Sequence, residues 1–233
     1  MRRDLRGETL PVMTLAIVTG ANRGIGLALV QALRARGAEV LAACRASSAK
    51  LDATGAEVVT GVDVATDEGL TTLVKAVGQR PIGLLIHNAG ILVWGDVLGS
   101  LDVAGIRKQF EVNALGPLRL TDALRSNLGA GAKVALVTSR MGSIDDNGSG
   151  GRYGYRMSKA ALNMAGKSLA IDLRPSGVAV ALLHPGMVKT DMVGGGGQVE
   201  PEDAARGLLA RIDALTVETT GGFWHANGER LPW

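Results

Sequence analysis

The sequence predicts an α/β fold: a doubly wound parallel sheet with helices on both faces. Three observations carry this expectation. Short apolar runs rich in β-branched residues alternate with helical stretches along the chain. Several runs are continuously apolar, as in strands covered on both faces. A glycine-rich turn joins the first run to the first helical stretch, the front half of a βαβ unit.

The totals narrow the class. At 233 residues the chain fits one α/β domain, read as residues 13–233. Residues 1–12 carry charge but no apolar core, so they read as a flexible N-terminal extension, with Met13 as an alternative start. Net charge is only +3 and the basic residues are scattered, so no nucleic-acid partner is expected. The single cysteine, Cys44, excludes an internal disulfide and fits a reducing, cytoplasmic compartment. No apolar run approaches a membrane span, so no membrane partner is expected.

Thr14–Val18 reads as the first strand. Thr19-Gly-Ala-Asn-Arg-Gly-Ile-Gly26 follows, then a helix from Leu27 to Arg36 ended by Gly37. Residues without Cβ let the backbone turn tightly and approach a pyrophosphate. The helix N-terminus offers its free N–H groups to the anion. The second strand, Glu39–Ala43, ends in Cys44-Arg45. A carboxylate at this place would accept from a free ribose 2′-hydroxyl. Arg45, with Arg23 in the turn, instead suits a 2′-phosphate, which argues for NADP(H).

Glu57–Val59 is the third strand. Asp63 beyond it is suited to an adenine amino group, or to capping the helix that begins near Thr66. Ile82–Ile86 is the fourth strand, followed by His87-Asn-Ala-Gly90. Residues 101–128 read as mostly helical, bent at Gly116-Pro117, with Asn113 inside. Lys133–Thr138 is the fifth strand and ends at Ser139. Tyr155 and Lys159 open a helix that runs to Leu173; four residues apart, they share one face. An ammonium beside a phenol favours the phenolate, so the expectation is a tyrosine more acidic than usual and able to trade a proton with a reacting oxygen. Val178–Leu183 is the sixth strand, ending in His184-Pro-Gly186. Gly194–Gly197 are four glycines that need help to hold one conformation. A helix from Pro201 and a strand over Gly222–Ala226 close the chain. Gly20, Arg45, Asp63, Asn88, Ser139 and Pro185-Gly186 all follow predicted strands, where ligands bind in such sheets.

With Thr19-Gly-x-x-x-Gly-Ile-Gly26, Asn88-Ala-Gly90, Asn113, Ser139, Tyr155-x-x-x-Lys159 and Pro185-Gly186 in this order, the chain resembles the short-chain dehydrogenase/reductase family. Ser139–Ser143 and Tyr153–Lys159 look like the branch containing C-factor and sniffer-type carbonyl reductases. His87 departs from the asparagine more often found there. The resemblance implies a Rossmann-type domain that transfers a hydride between NADP(H) and a carbonyl or alcohol. It also implies a catalytic set of Asn113, Ser139, Tyr155 and Lys159. Tyr155 would protonate the substrate oxygen, with Lys159 lowering its pKa and holding the nicotinamide ribose. Ser139 would bond the carbonyl oxygen, and Asn113 would hold a relay water.

The cofactor contacts implied are equally specific. Gly20, Asn22, Arg23, Gly24, Ile25 and Gly26 belong to the phosphate turn, with Arg45 beside it. Asp63 and Val64 would meet the adenine, and Asn88 the adenosine ribose. Ala89, Gly90, Pro185, Gly186 and Val188 complete the contacts, with Thr190 at the carboxamide. Trp94, Met141, Tyr153, Met187 and Met192 are candidates for an apolar substrate pocket. No metal is expected, since His87, His184, His225 and Cys44 lack ligand spacing. The resemblance further implies a homo-oligomer, dimer or tetramer, joined through helical faces in 105–128 and 156–173. A nucleotide-binding signal or sensor protein, or a reductase with a specialised biosynthetic substrate, is the alternative.

Overall fold

The computed structural model describes residues 15–233, so the extension read over residues 1–12 lies outside the described residues. Among the described residues there are seven strands: β1 (Leu15–Thr19), β2 (Val40–Ala43), β3 (Glu57–Val59), β4 (Ile82–His87), β5 (Leu128–Val137), β6 (Ala179–His184) and β7 (Gly222–His225). They form one sheet in the order β3-β2-β1-β4-β5-β6-β7, and every neighbouring pair is parallel. The order reverses between β1 and β4, which opens a crevice beyond their carboxyl ends.

Among the described residues, seven α-helices flank the sheet: α1 (Gly24–Ala35), α2 (Ala49–Asp52), α3 (Asp67–Val77), α4 (Val103–Phe110), α5 (Gly116–Ala123), α6 (Tyr153–Leu173) and α7 (Pro201–Asp213). Side chains alternate across a strand, so each apolar strand feeds two cores. Ile17, Leu41, Leu85, Leu136 and Leu182 pack with Leu73 of α3, Leu120 of α5 and Leu162 of α6. Val18, Ala42, Ile86, Ala135 and Leu183 pack with Leu29 of α1 and Leu208 of α7. No described helix is long and apolar enough to cross a membrane.

Three places differ from the sequence reading. The break between 101 and 128 falls before Gly116-Pro117, in a π turn over Glu111–Leu115. Pro117 then sits in the first turn of α5, where its missing N–H costs nothing. A Cβ on Gly116 would lie 2.7 Å from the Val64 carbonyl oxygen, so glycine lets this helix press against the segment after β3. β5 begins at Leu128 rather than Lys133, through exposed residues with no apolar pattern and across an irregular register with β4. The short α2 has no counterpart in the reading; Ser48 caps it and donates to the Asn22 carbonyl at 2.8 Å. The four glycines do receive help: Gly194 and Gly195 take left-handed conformations, and their N–H groups donate to Asp191 and Thr190 carbonyls.

Candidate active site

The crevice between β1 and β4 is held open by polar contacts. Thr19 Oγ1 accepts from the N–H groups of Asn88 and Ala89, both at 3.1 Å. Asn88 Nδ2 donates to the Thr19 and Gly20 carbonyls at 3.0 and 3.1 Å. That nitrogen therefore ties the glycine turn to the segment after β4. A Cβ on Gly26 would lie 2.2 Å from the Gly20 carbonyl oxygen, so α1 can start this close to β1 only with glycine there.

The start of α1 has no side-chain cap and no acidic residue in its first turn. Its first N–H groups are left for an anion. Arg45, just after β2, is exposed and in no ion pair among the described residues. Arg23 is less free than the sequence implies: its guanidinium meets Asp191 at 2.7 Å, bridging the turn and the loop after β6. Both side chains of that pair are mostly exposed, so it contributes at most about 1 kcal/mol and is readily exchanged. Asp63 does not cap α3; Thr66 does, accepting from Gly69 N–H at 3.1 Å. One Asp63 oxygen takes the Ala65 N–H at 3.0 Å, and Val64 beside it is buried. An uncapped helix start, a near-contact glycine turn and an exposed guanidinium after β2 are the features a phosphorylated dinucleotide requires.

Farther along the crevice stand the four residues of the expected catalytic set. Lys159 is buried, and its Nζ donates to the Val137 carbonyl at 3.0 Å. It lies 5.8 Å from the centroid of the Tyr155 ring, one helical turn away. Ser139 lies two residues past the end of β5 and accepts the Met141 N–H at 3.1 Å, which fixes the oxygen and leaves its hydrogen to be donated. Asn113, fully buried in the π turn, donates to the Ile91 carbonyl and Ser158 Oγ at 2.9 and 3.0 Å and accepts from Ile91 N–H at 2.8 Å. Both ends of its side chain are thus engaged.

The electrostatics differ from the expectation in one respect. Burial pushes the Tyr155 phenol above its ordinary value, with the Ser139 hydrogen bond pulling the other way. Burial also lowers Lys159 to about 8. Desolvation disfavours both charged forms here, so the phenol shifts upward rather than toward the more acidic value expected from a neighbouring ammonium.

Four supporting residues escaped the sequence reading. Asp96 accepts the Gly154 N–H with its carboxylate and the Arg152 N–H with its main-chain carbonyl, so it caps α6 from the loop after β4. Gln109 accepts from Val93 N–H at 3.1 Å and steadies the same loop. Thr138 donates to Asn163 Oδ1 at 2.7 Å, and Asn163 Nδ2 donates to the Gly142 carbonyl at 3.3 Å. These bonds fix the Ser139 turn against α6. None carries a local signal, because each partner lies 16 to 58 residues away.

The pocket candidates divide. Met141 and Tyr153 are half-buried beside the set, whereas Trp94, Met187 and Met192 stand in more exposed loops. His87 is buried 34 residues from Thr121 in sequence and 2.8 Å from it in space. Thr121 donates its hydrogen to the Pro117 carbonyl, so His87 Nε2–H is the donor to Thr121 Oγ1. Burial lowers the His87 pKa to about 3, which keeps the ring neutral. It joins β4 to α5 and takes no part in the crevice. Among the described residues, no group of three or more His, Cys, Asp or Glu is placed to hold a metal ion.

Fold and site define an α/β protein with a nucleotide crevice at the sheet's switch point and a tyrosine–lysine centre beside it. The chain belongs to the short-chain dehydrogenase family, whose model matches residues 14–199. It is an oxidoreductase of that family. It is 46% identical over 227 residues to the 1-hydroxy-2-glutathionyl-2-methyl-3-butene dehydrogenase of Rhodococcus sp. (strain AD45), covering 95% of this chain and 100% of the relative. Over 155 residues it is 49% identical to C-signal of Myxococcus xanthus, covering 66% of this chain and 93% of the relative. The NADPH-bound carbonyl reductase from chicken fatty liver superposes with a TM-score of 0.86 at 29% identity, covering 96% of this chain and all of that one.

Proposed function

We propose that residues 13–233 form one NADPH-dependent carbonyl reductase domain, which runs in reverse as an alcohol dehydrogenase. The convergence of Asn113, Ser139, Tyr155 and Lys159 beside the crevice carries this reading. When bound, NADPH supplies the hydride. Ser139 donates its hydroxyl hydrogen to the substrate oxygen and holds charge developing there. Tyr155 gives its proton to the same oxygen. Its upward-shifted pKa keeps it protonated through neutral pH, as a general acid for reduction must be. Lys159 holds the ribose hydroxyls, and the Asn113 turn hands protons in from behind. Absorbance of NADPH followed against a panel of aldehydes, ketones and diketones tests the reading; no consumption with any of them would count against it.

The cofactor choice rests on Arg45, which has no ion-pair partner among the described residues, with Arg23 released from Asp191 as a second contact. The NADPH in the chicken carbonyl reductase supports the same choice. Gly20, Asn22, Gly24, Ile25 and Gly26 then face the phosphates, and Asp63 and Val64 the adenine. Ala89, Gly90, Pro185, Gly186, Val188 and Thr190 border the nicotinamide half. Arg45→Asp should cost about ten- to a hundredfold in NADPH affinity, the worth of a charge-assisted contact, and leave NADH less affected. Titration of both cofactors by fluorescence reads this; equal curves in the parent protein would remove the assignment.

The substrate class follows from the Rhodococcus relative, whose name describes an alcohol beside a glutathionyl thioether. We take the substrate here to be an alcohol or carbonyl compound with a polar, carboxylate-bearing tail. The resemblance to C-signal supports a second reading, a signalling protein with little turnover. The intact Tyr155–Lys159 pair speaks for turnover, because binding alone needs no proton donor. A buried free thiol at Cys44 suits a cytoplasmic setting.

A homo-oligomer is part of the same proposal. Met157, Met164 and Ile171 repeat every seven residues on α6 and are 48%, 69% and 62% exposed. A second copy would cover them. Met164→Glu should then lower the mass measured by light scattering; a parent that is already monomeric would dismiss the interface.

A further inference from the structure

We propose that Trp94 and Arg152 form a subsite for a carboxylate on the substrate's tail. This rests on the reductase reading of the adjoining site and names what that site selects. Trp94 is 55% exposed, an indole ring turned toward solvent midway along the loop that follows β4. The Arg152 guanidinium lies over it, 4.5 Å from the ring centroid. Stacked in this way, a guanidinium keeps its edge N–H groups in plane and available to a carboxylate as a fork.

The backbone is arranged to keep the arginine there. Among the described residues, Arg152 is the non-glycine residue with a positive φ, 51°. L side chains adopt that conformation at a cost, and it persists only where the surroundings impose it. Asp96 imposes it, accepting the Arg152 N–H at 3.0 Å with its carbonyl and the Gly154 N–H with its carboxylate. The Arg152 main chain is thus fixed three residues before Tyr155, and its guanidinium rests on Trp94.

The charges around it are unbalanced. Arg140 meets Asp146 at 3.1 Å and Glu229 at 2.7 Å, and Arg23 meets Asp191. Arg152 and Arg156 have no carboxylate partner among the described residues; Arg156 donates to the neutral Ser149 hydroxyl at 2.8 Å and the Met141 carbonyl at 3.5 Å. Two guanidinium groups one turn apart, one stacked on an open aromatic ring, fit a planar anion. The glycine turn, where a cofactor's phosphates would lie, belongs to a different loop.

The test compares 4-carboxybenzaldehyde with its neutral analogue, methyl 4-formylbenzoate, as substrates with NADPH. The parent should favour the acid in kcat/KM. Arg152→Asn, which tolerates a left-handed backbone, should lower the acid-to-ester ratio by about tenfold or more. Arg152→Lys, which keeps the charge but loses the fork, should fall between. An unchanged ratio in Arg152→Asn, or a parent that favours the ester, overturns the subsite. Calorimetric titration with S-hexylglutathione gives a reading independent of turnover. Parent binding at least about tenfold tighter than the variant supports the subsite even if neither aldehyde is reduced, in which case the reductase reading alone fails. Equal affinities, or no binding to the parent, overturn it.

Discussion

Tyr155→Phe should keep the fold and cofactor affinity, yet turn over carbonyl substrate about 10²–10⁴ times more slowly, the usual share of general acid–base catalysis. Only a hydroxyl is lost, and the ring still packs one turn from Lys159. Its hydrogen bond with Ser139 disappears, which exposes no buried charge. Tyr153→Phe should do far less: it opens α6 six residues before Lys159 and shares no face with it. The pH dependence has a fixed sign. Burial holds the phenol above its ordinary value, so reduction should stay level through neutral pH and fall at higher pH, first as Lys159 loses its proton near 8 and then as the phenol ionises. Alcohol oxidation, which needs the phenolate as base, should rise over that same range. Steady-state rates in both directions from pH 6 to 11, for the parent and the two variants, check these points. Parent-like reduction by Tyr155→Phe would require another proton donor.

The sheet was readable because its strands are buried on both faces and so appear as uninterrupted apolar runs. Leu15–Thr19 and Val40–Ala43 are buried at every position. The glycine turn and the Tyr155–Lys159 pair were equally readable, because turn chemistry and helical spacing are local properties. What failed was non-local. Asp96 looks like an ordinary loop aspartate, and only the fold places it under the start of α6, 58 residues away. Asn113 looks like a poor helix former, and the π turn that buries it depends on the Ile91 backbone. Arg23 was read from its place in the turn, without sight of Asp191 across the crevice, 168 residues later. The direction of the Tyr155 shift was misjudged for a related reason: helical spacing reports a neighbouring charge, while burial depends on everything packed around it.

Lys159→Met should abolish most activity and at the same time make the protein more stable at neutral pH. Activity falls because Tyr155 loses its neighbouring cation and the ribose loses a donor. Stability rises because the cation is costly where it sits. Burial lowers the folded-state pKa of Lys159 to about 8, against about 10.5 for the ordinary side chain. The folded chain therefore binds its proton less tightly than the unfolded chain does. Below pH 8 both states are protonated and the full penalty applies, about 3 kcal/mol for a shift of this size. Between pH 8 and 10.5 the unfolded chain holds a proton that the folded chain has released, so this group makes the parent more stable as pH rises. Methionine removes the penalty at every pH. It also leaves the Val137 carbonyl without its Nζ donor, which costs about 1 kcal/mol. The net gain at pH 7 is then about 2 kcal/mol, a rise in Tm of about 4–8 °C for a chain of this size. It should shrink through pH 8 to 10.5 and change sign above, where the parent lysine is neutral and still bonded. Thermal unfolding of both proteins at pH 7, 9 and 11 measures the crossing. A variant less stable than the parent at pH 7, with the same pH slope, would show that the buried ammonium is compensated by its surroundings.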